Sequence, residues 1–216
     1  MATNSSPCRF GPDNGHLVLV VGPSGAGKDS LIDIARAMLE RDARFVFPAR
    51  LITREADGNG ERHVQITPAG FEQMANAGAF FLSWTANGHC YGLPANIRDH
   101  LAEGRTVIAN VSRTVIDEAK EKASRVSIVH VTAPKDVVES RLHRRKRECP
   151  TEIRQRLDRY ETDAPLPADA MTIDTRDPTE QGLRSAAERL VHFLDAAGIP
   201  PTSIGGSPGA GRLTLR

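Results

Sequence analysis

The chain has few cysteines, few lysines and no long apolar run. Its 216 residues include three cysteines, and because these are widely spaced and odd in number, they indicate neither a zinc site nor a disulfide framework. A reducing compartment fits this usage, so we expect a cytoplasmic protein. No apolar run reaches membrane-spanning length, and residues 1–15 lack the apolar segment of a signal peptide.

Lysine is the scarcer of the two basic residues. Five of the 28 Lys+Arg residues are Lys and 23 are Arg, and the formal net charge is +1. A chain this close to neutral has no global basic field, so its charge predicts neither nucleic acid nor an anionic membrane as a partner. The arginine excess suits phosphate ligands because the guanidinium fork matches phosphate oxygens, although a GC-rich genome would give the same bias.

The two ends of the chain are rich in Gly, Pro and Ser. We expect residues 1–15 to be a flexible leader, residues 198–216 a disordered tail, and residues 16–197 a single domain. Short apolar runs predict buried strands at 17–21, 106–109, 126–131 and 170–173. Residues 45–52 are a further candidate strand, which Pro48 either weakens or places at a sheet edge. Helical spacing predicts helices at 30–40, 134–145 and 178–194. This alternation predicts an α/β fold in which helices wrap a parallel sheet.

Residues 22–28 carry the most specific motif. Gly22-Pro-Ser-Gly-Ala-Gly-Lys28 matches G-x-x-x-x-G-K between an apolar strand and an amphipathic helix, although a Gly-rich packing turn would look similar. The glycines let backbone N–H groups point at phosphates, and the helix adds its positive N-terminal end. Lys28 can reach the β- and γ-phosphates, so we predict a catalytic role. The predicted ATP-binding residues are Gly22, Pro23, Ser24, Gly25, Ala26, Gly27, Lys28, Asp29 and Ser30.

Position 29 departs from the motif, which normally places Ser or Thr after the lysine. Asp29 is a hard oxygen ligand, so we predict that it helps to place Mg²⁺, although it could instead cap the helix. Asn110, at the end of a predicted strand, could orient Mg²⁺-bound water or cap a helix.

Several segments together resemble guanylate kinase and its relatives. They are the phosphate loop, Thr53-Arg54, the stretch from Phe80 to Gly92 and the arginine-rich run from Arg141. Other details look more like the ribose 1,5-bisphosphate phosphokinase family: Lys28–Ser30, Glu61–His63, Trp84–Gly88, Asn110–Arg113 and Arg144–Glu148. The resemblance covers about residues 17–194. It implies a P-loop fold with three α/β/α layers, an acceptor-binding insertion at about 53–92 and an arginine-rich lid at about 141–156.

The resemblance also implies where the acceptor binds. The predicted substrate-binding residues are Thr53, Arg54, Glu61, His63, Tyr91 and Arg113. An arginine such as Arg54 can bind a phosphate with two parallel hydrogen bonds, and Arg113 follows a strand at the edge where a doubly wound sheet binds ligands. Arg50 is a weaker candidate for the same role, and we expect the single tryptophan, Trp84, to serve packing.

The arginine-rich run predicts a lid over the transferring phosphoryl group. On a helix, Arg141, Arg144 and Arg145 share one face. We predict catalytic roles for Arg141, Arg145 and Arg147, since guanidinium groups can stabilise the charge of the transferred group. A solvated basic helix paired with glutamates is the alternative. No general base is required, because the acceptor phosphate is already ionised.

The family resemblance implies that ribose 1,5-bisphosphate is converted to 5-phosphoribosyl 1-diphosphate with ATP, in phosphonate breakdown. Glu61 and Ser83 keep a guanylate kinase or other nucleoside monophosphate kinase open, because both could serve a base. A non-catalytic binding module on the same scaffold is a third possibility. We expect a phosphorylated sugar as the partner and no nucleic acid or membrane, and the sequence leaves a homodimer open.

Overall fold

The computed structural model describes residues 14–55, 63–145, 150–151, 153–154, 157 and 166–197. The strands are β1 (His16–Val21), β2 (Phe45–Val46), β3 (Arg50–Ile52), β4 (His63–Gln65), β5 (Phe80–Ala86), β6 (His89–Pro94), β7 (Thr106–Asn110), β8 (Val126–Thr132) and β9 (Met171–Asp174). The helices are α1 (Lys28–Met38), α2 (Pro68–Asn76), α3 (Ile97–Ala102), a 3₁₀ turn (Arg113–Val115), α4 (Ile116–Lys122), α5 (Lys135–Arg145) and α6 (Glu180–Ala197).

The main sheet has five parallel strands in the order β2-β7-β1-β8-β9. All six residues of β1 are buried, because β1 is central and both of its faces are covered. Its neighbours keep a continuous register: Leu19 lies opposite Ala109 on one side and Ile128 on the other. The strands predicted at 17–21, 106–109, 126–131 and 170–173 all form, within a residue or two of the predicted bounds.

Successive β1 side chains enter two different cores. Val18 and Val20 pack with α1 and α6, whose apolar stripes include Leu31 and Leu190. Residues on the opposite face pack with α3, α4 and strands β5 and β6. The predicted α/β fold is therefore confirmed, with a second sheet contributing to one of the two outer layers.

Pro48 divides the predicted strand at 45–52 into two strands that belong to different sheets. Because proline donates no backbone hydrogen bond, it disfavours a continuous ladder except at a sheet edge, and β2 lies at the edge of the main sheet. β2 ends at Val46 in the main sheet, and β3 begins at Arg50 in a second sheet with the order β4-β3-β6-β5. In that sheet, β3 pairs parallel to β4 and antiparallel to β6.

A tight hairpin joins β5 to β6. Asn87 and Gly88 both have positive φ, 51° and 75°, as a two-residue I′ turn requires, and Ala86 pairs with His89 across it. Trp84 is buried and stacks on Tyr91 with ring centroids 5.5 Å apart, which confirms the packing interpretation of this tryptophan.

At the start of the described chain, Gly15 is buried, and a Cβ there would lie 2.4 Å from the Leu101 carbonyl oxygen. Gly15 therefore packs closely against α3. Among the helices of the described residues, none is both long and apolar enough to span a membrane.

Candidate active site

The carboxyl end of β1 continues into the phosphate loop, residues 22–27, which leads into α1. Gly22, Gly25 and Gly27 all have positive φ, at 142°, 88° and 87°. At Gly22 a side chain would also meet backbone, since a Cβ there would lie 2.1 Å from the Val131 carbonyl oxygen. Only glycine allows the loop to pass β8 this closely, so the motif has the conformation that its glycines predict.

Lys28 folds back over this loop from the first turn of α1. Its Nζ donates hydrogen bonds to the carbonyl oxygens of Gly22 and Pro23, at 2.7 and 2.8 Å. The ammonium group therefore lies beside the loop and the N-terminal end of α1, where a helix favours anions. The arrangement can hold a polyphosphate.

Asp29 lies between two donors from different elements. Its Oδ1 accepts a hydrogen bond from Arg50 Nη2 at 2.9 Å and another from Asn110 Nδ2 at 2.7 Å. The N-cap of α1 is Gly27, with no side-chain cap, so the alternative that Asp29 caps the helix does not hold. Asn110 ends β7 and is buried. Arg50, the weaker sequence candidate for the acceptor phosphate, contacts Asp29 through its guanidinium, and its contact with the acceptor stays a prediction.

Arg113 reaches the same edge of the main sheet from the turn after β7. Its Nη2 lies 3.1 Å from Nε2 of His130, near the carboxyl end of β8. Because a guanidinium can only donate, His130 Nε2 accepts. The structure thus places Arg113 and the phosphate loop at the carboxyl ends of neighbouring strands, the side on which open α/β sheets bind ligands.

The second sheet carries the other predicted acceptor residues. Thr53 continues the β3–β6 ladder: its N–H donates to the Cys90 carbonyl at 3.0 Å, and its Oγ accepts from the Cys90 N–H at 2.9 Å. His63 is half-buried and lies opposite Arg50 in the parallel β3–β4 pair. Arg54 is half-buried just beyond β3.

Arg141 lies against the phosphate loop. From α5, its guanidinium donates to the Gly25 carbonyl at 3.4 Å, to Thr175 Oγ1 at 3.2 Å and to the Thr175 carbonyl at 2.6 Å. Thr175 is not among the site residues predicted above, although the family resemblance implies that residues 174–177 lie near the nucleotide base. It directly follows β9, so its position at the end of a parallel strand is a further sequence signal.

The remaining lid and acceptor residues stay predictions. Arg144 is exposed on α5, and Arg145 is the last residue of that helix. Glu61 and Arg147 lie outside the described residues, as do most of the predicted leader and the whole predicted tail. Ser30 is exposed in the first turn of α1, and Tyr91 is buried against Trp84.

Comparison with known proteins agrees with this architecture. The sequence profile of the guanylate kinase family, described as "Guanylate kinase", matches residues 14–174. A solved guanylate kinase from Anaplasma phagocytophilum superposes with a TM-score of 0.59 over 87% of this chain and 88% of that one, at 15% identity, which speaks for the fold alone.

Curated relatives are more similar in sequence. The chain is 43% identical over 182 residues to the ribose 1,5-bisphosphate phosphokinase of Methylobacterium radiotolerans, covering 84% of this chain and 98% of that one. It is 42% identical over 197 residues to a protein of the same name from Chelativorans sp., covering 91% of each. A bifunctional ribose 1,5-bisphosphokinase-thymidine phosphorylase of Roseobacter denitrificans is 40% identical over 181 residues, but the chain spans only 27% of that longer protein.

The fold, the phosphate loop and the family match define a P-loop kinase of the guanylate kinase family. The two phosphokinases that match along nearly their whole length define a smaller group within this family. Within that family, the chain belongs to the ribose 1,5-bisphosphate phosphokinases, as the sequence resemblance predicted.

Proposed function

We propose that this chain transfers the γ-phosphoryl group of ATP to ribose 1,5-bisphosphate, giving 5-phosphoribosyl 1-diphosphate and ADP, in phosphonate catabolism. The observation that carries the proposal is the near-complete mutual coverage with phosphokinases of that name. The phosphate loop supports it, since Lys28 and the three positive-φ glycines form the cradle that a nucleotide donor needs.

The reaction forms one bond and breaks one. An oxygen of the acceptor's 1-phosphate bonds to the γ-phosphorus, and the bond from that phosphorus to the β,γ-bridging oxygen breaks, so that ADP leaves with the bond's electron pair. The attacking oxygen is already ionised at neutral pH, so the protein mainly has to align the two phosphates and stabilise charge.

In this proposal the basic side chains hold the two phosphates in place. Lys28 binds the β- and γ-phosphates beside the loop, and Arg113 binds a phosphate of the acceptor at the ends of β7 and β8. Thr53, Arg54, Glu61, His63 and Tyr91 complete the acceptor region. Arg141, Arg145 and Arg147 act from the lid, stabilising charge and excluding water that would otherwise accept the phosphoryl group.

Mg²⁺ fits the residues at the cradle. Asp29 supplies a hard carboxylate beside the phosphate loop, and Mg²⁺ in kinases is commonly held by one or two carboxylates together with the substrate's phosphates. Among the described residues, no group of three or more His, Cys, Asp or Glu side chains could hold a metal ion by itself. When bound, Mg²⁺ would neutralise charge on the β- and γ-phosphates.

The side chains favour a sugar bisphosphate over GMP as the acceptor. Recognition of guanine requires carboxylate and hydroxyl partners for the base edge, and the resemblance to guanylate kinases implies an acidic residue near position 110 in a GMP kinase. Here Asn110 is neutral and its amide is directed to Asp29. GMP remains the alternative acceptor because of Glu61 and the exposed Ser83 on β5.

An assay of ADP release with ribose 1,5-bisphosphate and with GMP tests this proposal. We expect turnover with the sugar bisphosphate that exceeds turnover with GMP at least a hundredfold, and loss of both in Lys28→Met. Efficient turnover of GMP alone would replace the proposal with a guanylate kinase. ATP binding without turnover of either acceptor would instead indicate a binding module. The use of ATP also leads us to propose that the kinase acts in the cytoplasm.

A further inference from the structure

Arg50 connects the second sheet to the first turn of α1. It lies at the start of β3, and its side chain, only 11% exposed, forms an ion pair with the 33% exposed side chain of Asp29 at 2.9 Å. The same carboxylate oxygen accepts the Asn110 hydrogen bond. Three elements, β3, α1 and β7, therefore meet at one oxygen atom.

The contact with Arg50 matters because residue 29 carries a negative charge. The usual Ser or Thr after the motif lysine is neutral, whereas Asp29 adds a negative charge within two residues of a loop that has to bind anions. Without Mg²⁺ and without a compensating cation, that charge would repel a nucleotide's phosphates and offset part of the attraction of Lys28. The positive charge of Arg50 compensates the negative charge of Asp29. Because Arg50 is fixed in a sheet, it also holds the Asp29 carboxylate in one orientation.

We propose that Arg50 is a positioning residue that neutralises and orients Asp29, which allows a phosphate loop with an acidic residue after the lysine to bind nucleotide. This inference rests on the proposed function only in that the loop binds ATP. It makes Arg50 and Asp29 an interdependent pair: Arg50 is needed because residue 29 is acidic. Since Thr53 and Arg54 directly follow β3, the pair also fixes the cradle relative to the acceptor region.

A double-mutant cycle tests the dependence. Dissociation constants for ADP and ATP are measured by calorimetry, with and without Mg²⁺, for the wild type, Arg50→Met, Asp29→Thr and the double variant Asp29→Thr/Arg50→Met. Met keeps the length of the side chain and removes its charge. We expect Arg50→Met to weaken Mg²⁺-free binding about tenfold, more for ATP than for ADP because ATP carries more charge. The double variant should bind within about threefold of Asp29→Thr.

Arg50→Lys serves as the matched control, because it keeps the charge and loses the fork. It should retain more nucleotide affinity than Arg50→Met, and its loss of affinity should differ less between ATP and ADP. Thermal unfolding without nucleotide provides a second readout. If Arg50→Met alone does not fold but the double variant does, the dependence on Asp29 is supported, since the cause is then a carboxylate that has lost its ion pair with Arg50.

The inference is wrong if Arg50→Met weakens nucleotide binding by the same factor in the wild type and in the Asp29→Thr variant. Unchanged nucleotide binding in Arg50→Met would also overturn it. Failure of both variants to fold would also overturn it, because Arg50 would then act in packing. Nucleotide binding does not depend on the acceptor, so failure of the sugar-bisphosphate assignment would leave this result intact.

Discussion

Thr175 Oγ1 donates a hydrogen bond of 2.6 Å to the Ala26 carbonyl oxygen and so ties the segment after β9 to the phosphate loop. Thr175 is almost fully buried, and its N–H donates to the Thr132 carbonyl at the end of β8. Its hydroxyl also accepts from Arg141. Through its hydroxyl and its backbone N–H, Thr175 therefore joins the segment after β9 to β8, α5 and the loop.

Replacing Thr175 by Val should weaken both stability and nucleotide binding. Val keeps the shape but leaves the buried Ala26 carbonyl without this donor, which costs about 1–3 kcal/mol of unfolding free energy. Urea unfolding and ADP calorimetry measure the two effects. Thr175→Ser retains the hydroxyl and should stay within about 1 kcal/mol of wild type. Equal unfolding free energies and ADP affinities of the Val and Ser variants would show that the hydroxyl contributes to neither stability nor nucleotide binding.

Gly22→Ala should abolish nucleotide binding. The change forces a β-carbon to within 2.1 Å of the Val131 carbonyl oxygen at a φ of 142°, so the loop has to move, at a cost of roughly 3 kcal/mol or more. Gly104→Ala is the control: its φ is also positive, at 76°, but no atom lies within 4 Å of the added carbon. It should cost about 1 kcal/mol and leave ADP affinity unchanged. Normal ADP binding by Gly22→Ala would contradict the described loop.

His16 should make folding stability fall at mildly acidic pH. Burial, together with the nearby charge of Arg125, lowers the pKa of His16 from 6.5 to about 4. Between these pH values the unfolded chain binds a proton that the folded chain does not. The His16 contribution is therefore complete above about pH 6.5 and is lost as the pH falls toward 4, with a maximum of about 3 kcal/mol. Chemical unfolding from pH 4 to 8 measures this dependence.

His16→Gln removes the titrating group and should flatten that part of the pH profile. Ser127→Ala is the matched control, since it removes the 2.8 Å hydrogen bond from His16 but keeps the buried imidazole. The Ser127 variant should still lose stability toward pH 4. An unchanged profile in His16→Gln would assign the pH dependence to other groups.

Arg113→Ala should impair acceptor binding selectively. Loss of charge-assisted hydrogen bonds to a phosphate is expected to raise the KM for ribose 1,5-bisphosphate about 10- to 100-fold. The dissociation constant for ADP should stay within about twofold of wild type. Arg184→Ala, on the exposed face of α6 beside Glu188, should change neither quantity. An unaffected KM in Arg113→Ala would remove this residue from the acceptor site.

Much of the nucleotide side of the fold could be predicted from sequence, because its signals are local. Residues 17–21 are continuously apolar, as a central strand must be, and the glycines of residues 22–27 have the positive φ values that the motif implies. The hairpin could also have been predicted, since Asn87-Gly88 is a strong I′-turn signal between apolar segments.

The long-range side-chain pairs could not be predicted in this way. Arg50 and Asp29 are 21 positions apart, and Thr175 and Ala26 are 149 apart. Such contacts depend on strand order, which the hydrophobic pattern leaves open. The position of Pro48 weakened a predicted strand, but it gave no indication that β2 and β3 would join different sheets.

³¹P NMR of the reaction shows whether the chain builds a diphosphate on the anomeric carbon of the sugar. With ATP, Mg²⁺ and ribose 1,5-bisphosphate, we expect the 1-phosphate resonance to be replaced by two coupled diphosphate resonances while the 5-phosphate monoester stays. An unchanged 1-phosphate resonance, in a sample that converts GMP to GDP, would show that the sugar bisphosphate is not the acceptor.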